Sequence, residues 1–324
     1  MRRQRVSTKG FRHIYGPVPS RRLGRSLGID LVPFKTCTYD CIYCQLGRTT
    51  DKTVERREYV PVGAILEELD QKLAEGDVPD YISLAGSGEP TLHSGIGDLI
   101  QSIKAMTPIP VAVITNGSLL WKPDVAESLM AADLVIPSLD AGDERMFRYV
   151  NRPHQEIDFK RMVKGLAHFT GLFTGSVWLE VFLLAGLTGI PSEVEKIAKL
   201  VKRIRPMKIQ LNTVSRPPAE EIAGAVALER MRELCAMFPG GAEVVYQGSQ
   251  GVQEDVNADG VSNEDILAII ARRPCTANDV ATGLGKHPLS MLKRLEKLVA
   301  EGRARRVLTD GKQFYTATAT VESR

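Results

Sequence analysis

The run CTYDCIYC places Cys37, Cys41 and Cys44 within eight residues, three of the five cysteines in the chain. Thiols clustered this way serve three chemistries: half a disulfide framework, most of a zinc site, or three of the four ligands of an iron–sulfur cluster. The start, MRRQRVSTKGFRH, is basic and lacks the apolar core of a secretory signal. A reducing interior is therefore expected, where clustered cysteines bind metal or react rather than pair. A structural zinc site takes four protein ligands, usually from two such knuckles. No second knuckle exists here: Cys235 lies in an apolar helix pattern and Cys275 heads a later segment, and both read as small buried hydrophobes. An iron–sulfur cubane normally takes four thiolates. Three leave one corner open, and an open metal position is where a small molecule can bind and react.

The elements that must position these thiols can be read from apolar periodicity. SLGIDLVP, YISLAG, VAVITNG, ADLVIPSLD, VWLEVFLLAG and MKIQLNTV are short, β-branched and nearly continuously apolar, as buried parallel strands are. Between them lie VGAILEELDQKLAEG, IGDLIQSIKAM, DVAESLMAA, DFKRMVKGLAHF and PSEVEKIAKLVKRI, and LERMRELCAMF follows, each patterned as a helix. Six strand–helix alternations predict an α/β fold with a parallel sheet, of barrel or open-barrel form, over residues 26–247. Right-handed crossovers put all strand C-termini on one face. If the first strand ends near Pro33, the cysteine loop lies on that face, where α/β enzymes hold their sites. AGSGEP (Ala85–Pro90), TNG (Thr115–Gly117) and SLD (Ser138–Asp140) end later strands, while Glu180 and Asn212 sit on the fifth and sixth. Singly these have plain readings: strand-end turns, and for Glu180 a pore-lining charge with a structural partner.

After VVYQGSQG the pattern changes. Residues 248–261 read as a linker. Residues 262–318 give three short helices and two strands joined at Asp310-Gly311, a winged-helix pattern. In its third helix, Pro288–Ala300, Leu292, Leu295, Leu298 and Val299 are expected to face the core, leaving Lys293, Arg294 and Lys297 outward. DVNADGVSNEDI, from Asp255, begins like a calcium loop, but its twelfth residue is Ile266 where a bidentate Glu is needed. Ser262 with Asp265 reads better as a helix start.

With its CxxxCxxC spacing and an aromatic, Tyr43, before the third cysteine, the chain resembles the radical S-adenosylmethionine (SAM) superfamily. The resemblance implies a partial (β/α)6 barrel and a [4Fe–4S] cluster on Cys37, Cys41 and Cys44. It also implies SAM chelated to the open iron, reductive cleavage to a 5′-deoxyadenosyl radical, and hydrogen abstraction from a substrate. AGSGEP resembles the family's Gly-Gly-Glu segment, which implies SAM contacts for Ser87, Gly88 and Glu89, with Glu89 receiving the methionyl ammonium. Thr115, Asn116, Ser138 and Asp140 fall where relatives contact the methionyl carboxylate or ribose. Glu180 and Asn212 would join them from strands five and six, with Tyr43 near the adenine. The run GIDLVPFKTCTYDCIYCQLG resembles the group containing wyosine-type tRNA-modifying enzymes. The chain departs from that group in lacking a flavodoxin-like domain and a second cysteine triplet. An external electron donor, ferredoxin or flavodoxin, is therefore implied.

At 43% hydrophobic and 25% charged residues the composition is that of a globular protein, and no apolar run reaches the ~18 residues of a membrane span. A cytoplasmic enzyme without membrane contact is expected. The net charge of +3 hides two basic regions. Residues 1–25, read as an N-terminal arm, carry eight Arg or Lys and no acid, and Lys286–Lys312 carries eight bases against three acids. Such patches suit a polyanion such as RNA, or form a solvated basic face. Winged helices also hold peptides, so a peptide or protein substrate is the alternative. A cluster-based redox regulator that reads DNA is a third reading, but a sensor needs no SAM pocket.

Overall fold

The computed structural model describes residues 11–245, 261–309 and 311–318. The calcium-like start at Asp255, most of the linker and the turn residue Asp310 lie outside the described residues.

The first strands, β1 (Ile14–Ser20) and β2 (Gly24–Ile29), form a hairpin, and β3 (Thr36–Cys37) and β4 (Asp51–Lys52) form a two-residue ladder that closes the cysteine loop. Then follow β5 (Tyr81–Leu84), β6 (Val111–Thr115), β7 (Leu134–Pro137), β8 (Ser176–Leu183), β9 (Lys208–Thr213) and β10 (Glu243–Val244). The helices beside them are α1 (Val62–Leu73), α2 (Ile96–Met106), α3 (Pro123–Ser128), α4 (Glu144–Val150), α5 (Phe159–Leu172), α6 (Pro191–Ile204) and α7 (Leu228–Cys235). The main sheet has the order β1-β2-β5-β6-β7-β8-β9-β10, parallel throughout except for β1.

Alternate residues of each strand face opposite sides. One set, including Leu27, Ile82, Val113, Val135, Leu179 and Leu211, packs under the helices in the main core. The helices answer with apolar residues three and four apart, such as Val194, Ile197, Val201 and Ile204 of α6. The other set faces the concave side, where Leu23 clusters with Ala112, Leu134 and Ile136. Leu23 precedes β2, and β7 lies three strands away, roughly 14 Å in a flat sheet. Arg22, beside Leu23, pairs at 3.0 Å with Glu180 on β8, four strands from β2, and that contact requires a sheet curved around its own interior. Its edges, β1 and β10, do not pair, so the barrel is open.

The six expected strands are all present. The expected N-terminal arm, however, does not extend to residue 25. Ile14–Ser20 pairs antiparallel with β2 and continues the sheet at its edge. The partner that orders this segment is a strand, which the charge of its flanking residues did not signal.

The C-terminal unit contains α8 (Asn263–Arg272), α9 (Ala277–Leu284), α10 (Pro288–Ala300) and the hairpin β11 (Ala304–Thr309)–β12 (Lys312–Ala317). Capping boxes at Ser262/Asp265 and Thr276/Asp279 start α8 and α9. Leu295 and Leu298 are buried in this unit's own core, with Leu292 and Val299 packed against it. Lys293 and Lys297 are exposed, but Arg294 is not turned outward as expected. Its guanidinium donates to the Val261 carbonyl at 2.8 Å and to Asn263 Oδ1 at 2.7 and 3.1 Å, tying α10 to the start of α8.

The unit docks on the barrel through two ion pairs. Arg216 meets Asp279 at 2.8 Å with both side chains nearly sealed, at 6% and 7% exposure. Arg272 meets Asp30 at 3.2 Å, and its guanidinium lies 4.1 Å above the Tyr15 ring.

Candidate active site

The cysteine loop lies between β2 and α1, beyond the C-terminal end of β2. Its first turn is tight: Lys35 adopts a left-handed backbone, φ 60°, a conformation rarely held by a residue other than glycine. The loop is fastened to the AGSGEP turn after β5 by backbone bonds, Lys35 N–H to the Ser87 carbonyl at 2.7 Å and Glu89 N–H to the Thr36 carbonyl at 3.1 Å. Gly88 allows this approach, since a Cβ there would stand 1.8 Å from the Thr36 oxygen. Ser87 is held from below, donating its N–H to Asp30 Oδ1 at 3.0 Å and its hydroxyl to the other carboxylate oxygen.

Each thiol receives a side-chain N–H from a different residue. Lys35 Nζ donates to Cys44 Sγ at 3.1 Å, Asn116 Nδ2 reaches Cys37 Sγ at 3.6 Å, and Asn151 Nδ2 reaches Cys41 Sγ at 3.5 Å. Lys35 is 3% exposed and Asn151 2%. Sequence reasoning missed both, though a lysine two residues before the first cysteine offered a faint signal. Nothing local marks Asn151. Burial, with the nearby Glu89 carboxylate, pushes the Cys37 thiol up to about 12. Burial pushes Cys41 well above its ordinary value, helped by Asp140 and by the other two thiols.

Among the described residues no three His, Cys, Asp or Glu side chains are gathered closely enough to hold a metal ion. The three thiols are nonetheless near enough to disfavour one another's ionisation. An iron–sulfur cluster takes its corners from separate thiolates, which is the chemistry these three sulfurs offer. N–H donors aimed at the sulfurs fit the same group.

Glu89, 2% exposed, joins the strand ends. Its Oε1 accepts from Thr115 Oγ1 at 2.6 Å, Thr91 Oγ1 at 2.6 Å and Thr91 N at 3.0 Å, and its Oε2 accepts from Asn116 N at 2.7 Å. Burial raises its pKa, and these donors oppose the rise. Asp140 accepts from Asn151 Nδ2 at 2.8 Å, from Phe182 N–H at 3.1 Å and from the Tyr43 hydroxyl. Burial raises its pKa to about 6. The Tyr43 ring stacks on Phe182, centroids 4.1 Å apart and planes 11° from parallel. Ser138 is half-buried and bridges to Glu180 on β8.

Glu180 and Asn212 face the interior and bond to each other, Asn212 Nδ2 donating to Glu180 Oε1 at 2.7 Å. Their other partners come from the β1–β2 turn. Arg22 forms an ion pair with Glu180 at 3.0 Å, and Arg21 donates to Asn212 Oδ1 at 3.3 Å. Burial alone would raise the Glu180 pKa, but Arg22, Asn212 and Arg21 together hold it below the usual range. The structural-partner reading of Glu180 thus has its partner in Arg22.

Comparison with known proteins places this geometry. The chain is 40% identical over 305 residues to a protein named GTPase Obg from Brachyspira hyodysenteriae, covering 94% of this chain and 45% of that protein. It therefore spans less than half the length of that relative. It is 34% identical over 306 residues to a UPF0026 protein of Methanocaldococcus jannaschii, covering 93% of this chain and 94% of that one. Its fold is similar to the structure of TYW1 with a lysine-pyruvate adduct bound, with a TM-score of 0.52 and 19% identity, covering 66% of this chain and 72% of that one. Residues 31–201, from just ahead of the cysteine loop into the last turn of α6, match the radical SAM superfamily. That match covers more than half the sequence and includes all three loop cysteines, and the chain belongs to the radical SAM superfamily as one of its enzymes.

Proposed function

We propose that the chain holds a [4Fe–4S] cluster on Cys37, Cys41 and Cys44, binds SAM beside it, and abstracts hydrogen from a substrate admitted to the interior of the curved sheet. The observation that carries this reading is the set of three N–H donors, from Lys35, Asn116 and Asn151, each directed at a different thiol. Bound there, the cluster would supply the electron that splits SAM into methionine and a 5′-deoxyadenosyl radical.

The chain's own residues bind, orient and shield. Lys35, Asn116 and Asn151 disperse negative charge on the sulfurs. Glu89 fixes the Thr115–Asn116 turn, and its Oε2, with one donor, retains capacity for the methionyl ammonium. Ser87 and Gly88 hold the backbone of that turn against the cysteine loop. Thr115, Ser138 and Asp140 line the strand ends where the rest of SAM would lie, and the stacked Tyr43–Phe182 pair walls that region beside them. A ferredoxin or flavodoxin is the electron donor in this reading, as the family resemblance implies.

The C-terminal unit reads as a winged helix that selects the substrate. Exposed Lys293, Lys297 and Arg305 favour RNA, with phosphates meeting the basic face. A peptide is the second reading, favoured by exposed Leu289 (62%) and Leu308 (74%). The test is anaerobic reconstitution with iron and sulfide, followed by reduction in the presence of SAM. Bound iron and release of 5′-deoxyadenosine are expected. Zinc in place of iron, or iron without nucleoside release, would overturn the proposal.

A further inference from the structure

Arg272 is the last residue of α8, in the C-terminal unit, yet its guanidinium has two partners in the barrel. One is the Asp30 carboxylate, 3.2 Å away, and among the described residues no other cation stands in ion-pair range of it. The other is the Tyr15 ring on β1, whose centroid lies 4.1 Å from the guanidinium carbon. Both contacts continue into the same turn. Asp30 accepts the Ser87 N–H at 3.0 Å and also the Ser87 hydroxyl. Tyr15 donates its hydroxyl to the Ala85 carbonyl at 3.1 Å. Ala85 and Ser87 flank Gly86 in AGSGEP, so one side chain of the C-terminal unit secures that turn on both sides of the glycine.

The turn rests directly on the carboxylate. Gly86 has φ 154°, and a Cβ there would stand 2.7 Å from the Asp30 carboxyl carbon. The Asp30 side chain is 11% exposed, and without Arg272 a nearly buried charge would keep only the two Ser87 donors. A carboxylate sealed from water and stripped of its cation is costly, and it gains by turning toward solvent. Ser87 then loses its hold or moves with it. The Ser87 carbonyl accepts from the Lys35 N–H of the cysteine loop, and Glu89 follows two residues later. Displacing Ser87 therefore disturbs the part of the turn that faces the thiols.

We propose that Arg272 is a positioning residue for SAM, acting through Asp30 and Tyr15 on the AGSGEP turn, so that docking of the C-terminal unit and binding of SAM reinforce each other. The unit thereby does more than present a surface to the substrate: it completes the support of the turn that holds Glu89. Whatever the unit binds then reaches the SAM site through one guanidinium. The inference rests on the proposed SAM site at AGSGEP.

The test is equilibrium dialysis of SAM against the anaerobically reconstituted full chain, with iron content read in parallel. Arg272→Met should weaken SAM binding about fivefold or more, the lower end of ordinary coupling between sites, with iron intact. Tyr15→Phe, which removes only the hydroxyl bonded to Ala85 and carries the test if Arg272→Met misfolds, should weaken it too. Arg303→Gln breaks an ion pair inside the unit, with Glu264, and should leave SAM affinity unchanged. Coupling is reciprocal, so SAM should slow hydrogen exchange in α8 and α9 of the wild-type chain and not of Arg272→Met. A merely structural Arg272 predicts unchanged affinity and no such protection. Wild-type affinity in Arg272→Met or Tyr15→Phe, an equal loss in Arg303→Gln, or exchange in α8 and α9 that ignores SAM would overturn the coupling. Glu89→Ala separates the two readings. SAM affinity lost there but kept in Arg272→Met overturns the coupling alone, and no SAM binding by the wild-type chain overturns both.

Discussion

Three sulfurs and three N–H donors define the chemistry at the residue scale. Replacing Cys37, Cys41 or Cys44 by Ala should abolish iron incorporation, because two thiolates cannot hold a cubane in this loop. Cys235→Ala and Cys275→Ala should leave iron content unchanged, since Cys275 is 0% exposed within the C-terminal core and Cys235 packs against the main one. Iron lost from either control would show that the ligand set is wrong. Lys35 brings a buried positive charge to Cys44 and has no carboxylate in ion-pair range among the described residues. A cation beside a sulfur favours the reduced, more negative cluster. A charge-assisted hydrogen bond worth about 1.5–3 kcal/mol corresponds, for one electron, to roughly 60–130 mV. Lys35→Met should therefore lower the midpoint potential by about that much with the iron content intact. A redox titration followed by electron paramagnetic resonance reads the shift, and an unmoved potential would refute the role. Glu89→Ala should keep the iron and weaken SAM binding roughly ten- to a hundredfold, measured by equilibrium dialysis. Unchanged affinity would reduce Glu89 to a brace between strand ends.

At the scale of elements, the decisive contact is between two loops. The AGSGEP turn after β5 and the cysteine loop after β2 share backbone hydrogen bonds, and Gly88 makes room for them. Backbone cannot yield as a flexible side chain can, so a methyl group 1.8 Å from the Thr36 oxygen must separate the loops. Gly88→Ala should leave the helices and sheet folded, with circular dichroism unchanged, while cluster loading falls severalfold or more. Wild-type loading would mean the loops need not touch. The sheet shows the same economy of position. Outward residues of each strand are apolar and fill the core, whereas the inward faces of β8 and β9 carry Glu180, Gln210 and Asn212.

For the whole molecule, the question is how firmly the C-terminal unit is attached to the barrel. Arg216 and Asp279 are nearly sealed from solvent, and removing one partner of such a pair strands the other charge, at a cost of about 3–5 kcal/mol. Arg216→Met should therefore release the unit more than it unfolds the barrel. Hydrogen exchange should speed up in α8, α9 and α10 while β5 through β8 stay protected. Uniform acceleration across both regions would instead make the two parts one cooperative block. The second contact, Arg272 with Asp30, reaches the site itself, because Asp30 also holds Ser87 of the AGSGEP turn. The unit and the AGSGEP turn thus share a carboxylate. Among the described residues no helix is long and apolar enough to cross a membrane.

The sequence by itself determined what depends on near neighbours along the chain. The cysteine spacing, the six apolar strands, the amphipathic helices and the helix start at Ser262 are all set by contacts within a turn or a pleat. Each left a period or motif that could be read directly. Only the tertiary structure decided which distant residues meet. Curvature of the sheet brings Arg22 to Glu180 and Arg21 to Asn212, some 158 and 191 positions apart along the chain. Asn151 reaches Cys41 across 110 residues, and Arg294 turns back to α8 rather than outward. β1 is a strand because β2 offers it an open edge, and IYGPVPS, broken by Gly16, Pro17 and Pro19, carries no periodic mark of that pairing. Polar side chains in a curved interior find partners by three-dimensional reach, and reach across a barrel leaves no spacing in the sequence to read.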